Sequence, residues 1–197
     1  MVELNIPWYG LRSVIVHLQY ENIVLRDMKQ SDVEDYVRWF TDKSLQWQKT
    51  DAPWEAVDTD EDTERSSWTD YYNSFKDLSE SAERWRFEIE VEGRHIGWVS
   101  SYRDLDYIDN MENYRAVGID ICEASETDKG YGTKALKLFI GYYKSLGHKV
   151  LYTQTWSGNK RMLHVAGKLG FTEFYREKNF RTFEGCSYDA VTLVLKT

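Results

Sequence analysis

The chain has 197 residues, of which 42% are hydrophobic and 15% aromatic, and its formal net charge is −8. This composition excludes a disordered protein, and the length suffices for a single domain with a substantial core. The negative charge argues against a protein that binds nucleic acid by neutralising phosphates, and no apolar stretch is long enough to span a membrane.

The first half of the chain predicts strands and two helices. Residues 14–28 alternate apolar and polar side chains, which predicts one or two strands. Ser31 then precedes apolar residues at helical spacing, so it is the predicted N-cap of a first helix. A second helix is predicted from about Thr59, with an acidic first turn that suits the helix dipole.

The second half predicts an alternation of strands and helices. Residues 84–104 alternate on either side of a turn at Glu92-Gly93, which predicts a β-hairpin. The elements that follow are a strand at 113–124, an amphipathic helix at 133–147, a buried strand at 149–156, a short helix ended by Gly170, and two strands at 171–180 and 187–197. This order predicts an α/β protein with a mixed sheet and helices on both faces.

Two glycines, Gly130 and Gly132, stand where the amphipathic helix is about to begin. Glycine is entropically costly there, so the pair indicates that a ligand approaches the backbone closely. Phosphate is the usual candidate, because free N–H groups and the helix dipole point out of that end. The spacing matches neither the GxGxxG of dinucleotide folds nor the P-loop motif. For the loop alone, an ordinary glycine-containing turn is the alternative.

Three local motifs occur in one order: DKGYGTKAL at 128–136, KVLYTQTWSGN at 149–159 and NKRMLHVAGKLGF at 159–171. With these motifs the chain resembles the GNAT superfamily of acetyl-CoA-dependent N-acetyltransferases, and within it the RimJ/RimL-like branch. The resemblance implies a central, mostly antiparallel twisted sheet that is splayed in the middle. It begins at about Asn22, so residues 1–21 are interpreted as an N-terminal extension of one domain over 1–197.

The resemblance also implies where acetyl-CoA binds as co-substrate. In this family the pantetheine arm enters a gap beside the strand before the glycine loop, which here ends at Ile121 and Cys122. The pyrophosphate lies on backbone N–H groups of the loop. The loop residues implied are Lys129, Gly130, Tyr131, Gly132 and Thr133, with Lys134 as a charge partner. Asn159 matches the family residue that bonds the pantetheine, and a helix N-cap is the alternative for it.

Acetyl transfer to an amine requires a neutral amine, a donor for the oxyanion and a proton for the leaving thiolate. Many family members supply that proton from a Tyr where this chain has Ala166, and His164 beside it is expected to face elsewhere on the helix. Ser157 is a candidate donor, with a solvated turn serine as the alternative. Asp120 is the candidate base, because it alternates with two isoleucines expected to face the core, and an exposed strand carboxylate is the alternative.

Two further departures from the family precede the glycine loop. Thr127 and Asp128 stand where relatives carry Arg or Gln, or Trp-Gly in this branch. An Asp beside a pyrophosphate is unfavourable unless it turns away as a local cap. Together with Ala166, these departures leave open a function of another class, a non-catalytic module that binds acyl-CoA for sensing or partner contact.

The segment from Asp51 to Asp70 carries eight acidic residues and one basic residue, Arg65. In the family it corresponds to the helix–loop–helix that covers the acceptor. Its carboxylates, with the aromatic walls of Trp47, Trp54 and Trp68, suit a cationic amine such as a protein N-terminus or a small amine. A solvated acidic loop with core tryptophans is the alternative.

Cysteine usage and the N-terminal sequence indicate the compartment. Cys122 and Cys186 have no metal-ligand spacing, so reduced thiols in a cytoplasmic protein are the simplest interpretation. The first residues lack the pattern of a secretory signal. The expected partners are therefore acetyl-CoA and an amine acceptor, with neither nucleic acid nor membrane, and the sequence leaves open whether the chain forms a homodimer.

Overall fold

A computed structural model describes residues 16–45, 47–48, 52–54, 58–105 and 114–197. The strands are β1 (His17–Tyr20), β2 (Ile23–Arg26), β3 (Arg86–Val91), β4 (Arg94–Tyr102), β5 (Arg115–Ile121), β6 (Val150–Trp156), β7 (Thr172–Phe183) and β8 (Cys186–Lys196). The helices are α1 (Asp32–Thr41), α2 (Glu61–Phe75), α3 (Tyr131–Ser145) and α4 (Lys160–Lys168). Within these ranges, no helix has the length and apolar character needed to cross a membrane.

The eight strands within the described ranges form one sheet in the order β1-β2-β3-β4-β5-β6-β8-β7. Neighbouring strands are antiparallel except for β5 and β6, which run parallel. These two strands pair only at Arg115–Leu151 and Ala116–Tyr152, so residues 117–121 of β5 part from β6. The predicted α/β architecture with a mostly antiparallel, centrally splayed sheet is therefore confirmed.

Helices cover both faces of this sheet. The face against α3 and α4, here called the α3 face, carries the main core, into which α3 inserts Leu136, Phe139, Ile140 and Tyr143 as its spacing predicted. The opposite face, here called the α1 face, lies against α1 and α2. Its smaller core consists of Tyr36, Trp39, Trp98 and Cys122.

The ends of several elements differ from the sequence-based expectations. Ser31 precedes α1 as predicted, but its side chain makes no capping hydrogen bond. Helix α2 begins at Glu61, slightly later than expected, because Asp60 caps it by accepting from the Thr63 N–H at 2.9 Å. Residues 17–20, within the segment interpreted as an extension, form β1 and pair with β2. Residues 1–15 lie outside the described ranges.

The last hairpin is longer than predicted. Strand β7 continues to Phe183, and the chain turns at Glu184 and Gly185, whose φ angles are 49° and 76°. Two successive residues with positive φ form a tight turn whose twist matches that of the two flanking strands. Pairing of β7 and β8 therefore continues up to the turn itself.

Candidate active site

A groove follows the opening between β5 and β6. One wall comes from Ile119, Asp120 and Ile121 of β5, a second from the loop before α3 and its first turn, and a third from α4 through Met162 and Val165. Trp47 also lines it, although Trp47 packs on the α1 face beside Trp98. Because elements from both faces line one groove, the groove crosses the sheet where β5 and β6 no longer pair.

The mouth of the groove is formed by the N-terminus of α3. Gly130 is the N-cap residue, with a φ of 81° that glycine adopts without strain and with no side chain to cap the helix. A Cβ on Gly130 would meet nothing within 4 Å, and one on Gly132 would meet only Ile119 Cδ1 at 3.6 Å. The first turn of α3 therefore offers backbone N–H groups beside open space, as an anion site requires.

Three side chains of α4 form a basic rim along the same groove: Arg161, His164 and Lys168. The expectation that His164 faces elsewhere is wrong. Ala166 points into the main core, and this orientation of the helix turns the face that carries the rim towards the groove. The spacing of three and four residues within this set marks one helical face and is visible in the sequence.

Asp128 lies opposite the rim, and its Oδ2 is 3.3 Å from Arg161 Nη2. Asp128 lines the groove, and its contact with Arg161 compensates part of the carboxylate charge. The two lysines of the predicted site are held elsewhere. Lys129 Nζ is 3.1 Å from Glu126, Lys134 Nζ is 2.6 Å from Glu21, and neither lysine lines the groove.

The remaining predicted cofactor residues divide into two groups. Tyr131 and Thr133 line the groove with the two glycines and Ile121. Asn159 also lines the groove. Its Oδ1 accepts from the Met162 N–H at 3.0 Å, so Asn159 is the N-cap of α4, and its amide NH₂ is the group left to donate to a ligand. Cys122 is buried away from the groove, its N–H donates to Ile96, and burial raises the pKa of its thiol well above the usual range.

The two predicted catalytic residues lie in different places. Asp120 lines the groove and is in register with Trp98, which in turn is in register with Glu88, so the three share the α1 face. Ile119 and Ile121 pack against the main core, as the interpretation of Asp120 required. Ser157 does not line the groove, and its Oγ accepts from the Asp189 N–H at 3.0 Å. That hydrogen bond ties the end of β6 to β8.

A buried polar cluster beneath α1 was not anticipated from the sequence. Glu88 is 1% exposed and accepts from Tyr36 Oη at 2.5 Å and from His95 Nε2 at 2.9 Å. Burial alone would raise the pKa of Glu88, but Arg86 and His95 hold it below its ordinary value. The Arg86 guanidinium also donates to Tyr36 and lies 4.4 Å from the ring centre of Trp98. These contacts fix α1 over β3 and β4.

Asp32, Asp35 and His95 stand close enough to hold a metal ion. The contacts of Asp32 oppose that interpretation, because its oxygens accept from Arg26 at 2.6 and 2.9 Å and from the Lys29 N–H at 2.7 Å. Burial would lower the pKa of His95, but its hydrogen bonds to Asp35 and Glu88 raise it to about 9. Because Asp32 is committed to Arg26 and Lys29, and both ring nitrogens of His95 to carboxylates, the donor set fits an ion-pair cluster.

The three tryptophans of the predicted aromatic wall lie in different settings. Trp47 meets Trp98 edge to face at 5.4 Å, and Trp54 meets Trp156 at 5.3 Å. Trp68 is stacked on Tyr36 at 3.8 Å and belongs to the smaller core. Among the tryptophans of this segment that the structure describes, Trp47 is the one that lines the groove.

The acidic side chains of the same segment are engaged elsewhere. Asp58 pairs with Lys43 at 2.7 Å, and Asp60 caps α2. Glu61 and Asp62 lie 3.6 and 3.5 Å from Arg65. None of these four carboxylates is among the described residues that line the groove, and Asp51 and Glu55 lie outside the described ranges.

Residues 22–172 match the family model of the acetyltransferase (GNAT) domain. A search of curated proteins found no match. Similar solved structures include the N-acetyltransferase from Staphylococcus aureus Mu50, at 18% identity and a TM-score of 0.66, covering 89% of this chain and 99% of that chain. Another is yncA of Salmonella typhimurium with its cofactor acetyl-CoA, at 17% identity and a TM-score of 0.65, with coverages of 89% and 94%.

A third similar structure is RimL, a ribosomal L7/L12 α-N-protein acetyltransferase in complex with coenzyme A. It shares 15% identity and a TM-score of 0.67, with coverages of 90% and 95%. At such identities these structures support the fold, whereas the family match spans most of the chain. The splayed sheet, the glycine loop at the mouth of the groove and this match lead to one conclusion: the chain belongs to the GNAT acetyltransferase family, whose co-substrate is acetyl-CoA.

Proposed function

We propose that this acetyltransferase moves the acetyl group of acetyl-CoA to a primary amine, which attacks the thioester directly. The observation that carries the proposal is the groove that crosses the sheet between β5 and β6. Its mouth at Gly130 and Gly132 suits an anion, and its opposite side carries Trp47 and Asp120. A donor and an acceptor can thus enter from the two faces and meet within one opening.

On the donor side, the first turn of α3 would bind the pyrophosphate through backbone N–H groups, with the helix dipole favouring its charge. Arg161 and Lys168 add positive charge along the same groove. The exposed ion pair between Asp128 and Arg161 is weak by comparison with a charge-assisted contact to phosphate. Arg161 would therefore exchange Asp128 for the incoming phosphate. The amide NH₂ of Asn159 can donate to the pantetheine while its oxygen keeps α4 capped.

On the acceptor side, Asp120 would take the proton of the attacking amine, directly or through one water. A carboxylate is suited to this role when it lies within hydrogen-bond reach of the amine in the reactive complex. Trp47 beside it would provide an aromatic wall for a cationic acceptor before deprotonation. The activity named for RimL supports a protein N-terminus as acceptor, and the aromatic wall equally supports a small cationic amine.

An acceptor panel tests the proposal. The protein is incubated with acetyl-CoA and with peptides, polyamines, amino acids and aminoglycosides, and released thiol is measured. We expect thiol release with one amine class, and Asp120→Asn should lower kcat by about 100-fold. Asp62→Asn, whose side chain is fully exposed, is the matched control and should leave kcat unchanged. CoA binding without thiol release from any amine would favour a binding module instead.

Two further features of the chain support the expected organisation and compartment. Cys122 and Cys186 are both free, which supports a cytoplasmic protein with reduced thiols. One sheet contains strands from His17 to Lys196, which supports a single domain.

A further inference from the structure

Two buried side-chain atoms in the described part of the chain lack a hydrogen-bond partner: Arg115 Nη1 and Thr153 Oγ1. Arg115 still forms an ion pair with Glu83 through its other nitrogens, so its charge is compensated. Thr153 is fully buried, and its single hydroxyl is its only polar side-chain group. Burying an unpaired hydroxyl is unfavourable, and such a group in a native fold calls for an explanation.

Thr153 lies at the apex of the opening between β5 and β6. Tyr152 is the last residue of β6 in register with β5, where it faces Ala116. Thr153 follows directly and is in register with Leu193 of β8. Because side chains alternate along a strand, Thr153 shares a face with Leu151, which belongs to the main core. The hydroxyl therefore lies on the α3 face at the apex of the splay, where Thr153 is fully buried and is not among the residues that line the open groove.

The groove walls on this face carry polar side chains (Tyr131, Thr133, Asn159 and the basic rim) and four apolar ones. Ile119 and Ile121 come from β5, and Met162 and Val165 come from α4. Ala166 is fully buried at the position where the family resemblance implies a tyrosine that serves the leaving sulfur. In the described chain, the conventional donor is thus missing from α4, and an unpaired donor stands on the neighbouring strand.

We propose that Thr153 is a catalytic residue whose hydroxyl donates a hydrogen bond to the sulfur of acetyl-CoA. The inference rests on the proposed function. When the amine nitrogen bonds to the thioester carbon, the carbon–sulfur bond breaks and its electron pair stays on sulfur. Thr153 stabilises that charge and keeps its own proton, and the amine passes its proton to Asp120. In the free protein the hydrogen bond is unmade, which explains the unpaired hydroxyl.

The test compares Thr153→Val, which keeps the shape without the hydroxyl, with Thr153→Ser, which keeps the hydroxyl. Removing an unpaired buried hydroxyl should raise the Tm of the free protein by about 2–4 °C. The same Val variant should lower kcat by about 10-fold or more and leave the KM of the amine unchanged. Thr153→Ser should keep kcat within about threefold of wild type, because it retains the donor.

Thr192→Val is the matched control. Thr192 is equally buried, but its hydroxyl accepts from Gln154 Nε2 at 3.1 Å, so its loss should lower the Tm. A readout independent of turnover is the rise in Tm that free CoA produces. This rise should be smaller in Thr153→Val than in wild type and unchanged in Thr192→Val.

A lower Tm in free Thr153→Val would overturn the proposal, because it would reveal a structural partner such as a buried water. Unchanged kcat or an unchanged response to CoA in that variant would also overturn it. If wild type released no thiol with any amine, the proposed function would fail. The response to CoA would then decide alone whether Thr153 contacts the sulfur.

Discussion

Replacing His95 should remove a pH-dependent part of the protein's stability. Its side chain is 3% exposed, with Nε2 2.9 Å from Glu88 and Nδ1 3.1 Å from Asp35. Burial would lower the pKa of His95, but the hydrogen bonds to these carboxylates raise it from 6.5 to about 9. The protonated imidazole is therefore favoured in the folded protein.

The size and sign of the effect follow from this difference. At about 1.4 kcal/mol for each pH unit, the rise from 6.5 to about 9 corresponds to about 3 kcal/mol of unfolding free energy. Because the pKa is higher in the folded than in the unfolded state, the contribution is fully present below pH 6.5. It is lost as the pH rises from there through about 9.

Denaturant unfolding at about pH 6 and about pH 10 measures this contribution. Wild type should lose about 3 kcal/mol more than His95→Gln between the two conditions, because other titrating groups contribute equally to both proteins. His164→Gln is the control, since His164 is an exposed residue and its replacement should leave the wild-type loss unchanged. Equal losses in wild type and His95→Gln would refute the assigned ion-pair cluster.

Two other predictions concern β5 and the acidic segment. A Cβ on Gly97 would lie 1.9 Å from the Asp120 carbonyl oxygen, so Gly97→Ala should shift β5, lower the Tm by several degrees and reduce kcat. Gly141→Ala is the control, because a Cβ there meets open space, and it should lower neither the Tm nor kcat. Neutralising Asp58, Asp60, Glu61 and Asp62 together should leave the acceptor's kcat/KM within about twofold of wild type and reduce stability by about 1 kcal/mol through loss of the Asp60 cap. A steep fall in acceptor kcat/KM at low salt would instead show that these charges steer the amine.

The elements that were predictable from sequence depend on local patterns. Leu136 and Phe139 lie at helical spacing, and Glu92-Gly93 fits a hairpin turn, so α3 and the β3–β4 hairpin needed no long-range information. The splay beyond Ala116 depends on two strands that are far apart in sequence. It could be expected only from the family resemblance.

The buried cluster was missed because its strand has the pattern of a half-exposed hairpin. Glu88 alternates with Phe87 and Ile89, which normally indicates a solvent-facing carboxylate. Instead α1 covers that face, and Tyr36 and His95 satisfy the charge. No local pattern encodes such distant partners.

Among the site residues, too, only those whose setting depends on local structure could be predicted from the sequence. Gly130 could be predicted because its backbone conformation and helix position are local. The pairing of Lys134 with Glu21 joins distant parts of the chain. The unpaired hydroxyl of Thr153 depends on where β6 leaves β5, and a threonine in a strand gives no sign of this in the sequence.

The central claim is that the groove between β5 and β6 binds acetyl-CoA through the N-terminus of α3. Thermal unfolding of wild type and Gly132→Asp at increasing CoA concentration tests it most directly, because a ligand that binds only the folded state raises the Tm. The Asp side chain would add bulk and negative charge beside Ile119 at the mouth of the groove. We predict a rise in Tm with CoA for wild type and none for Gly132→Asp. A wild-type Tm that does not change at saturating CoA, or an equal rise in both proteins, would contradict the account.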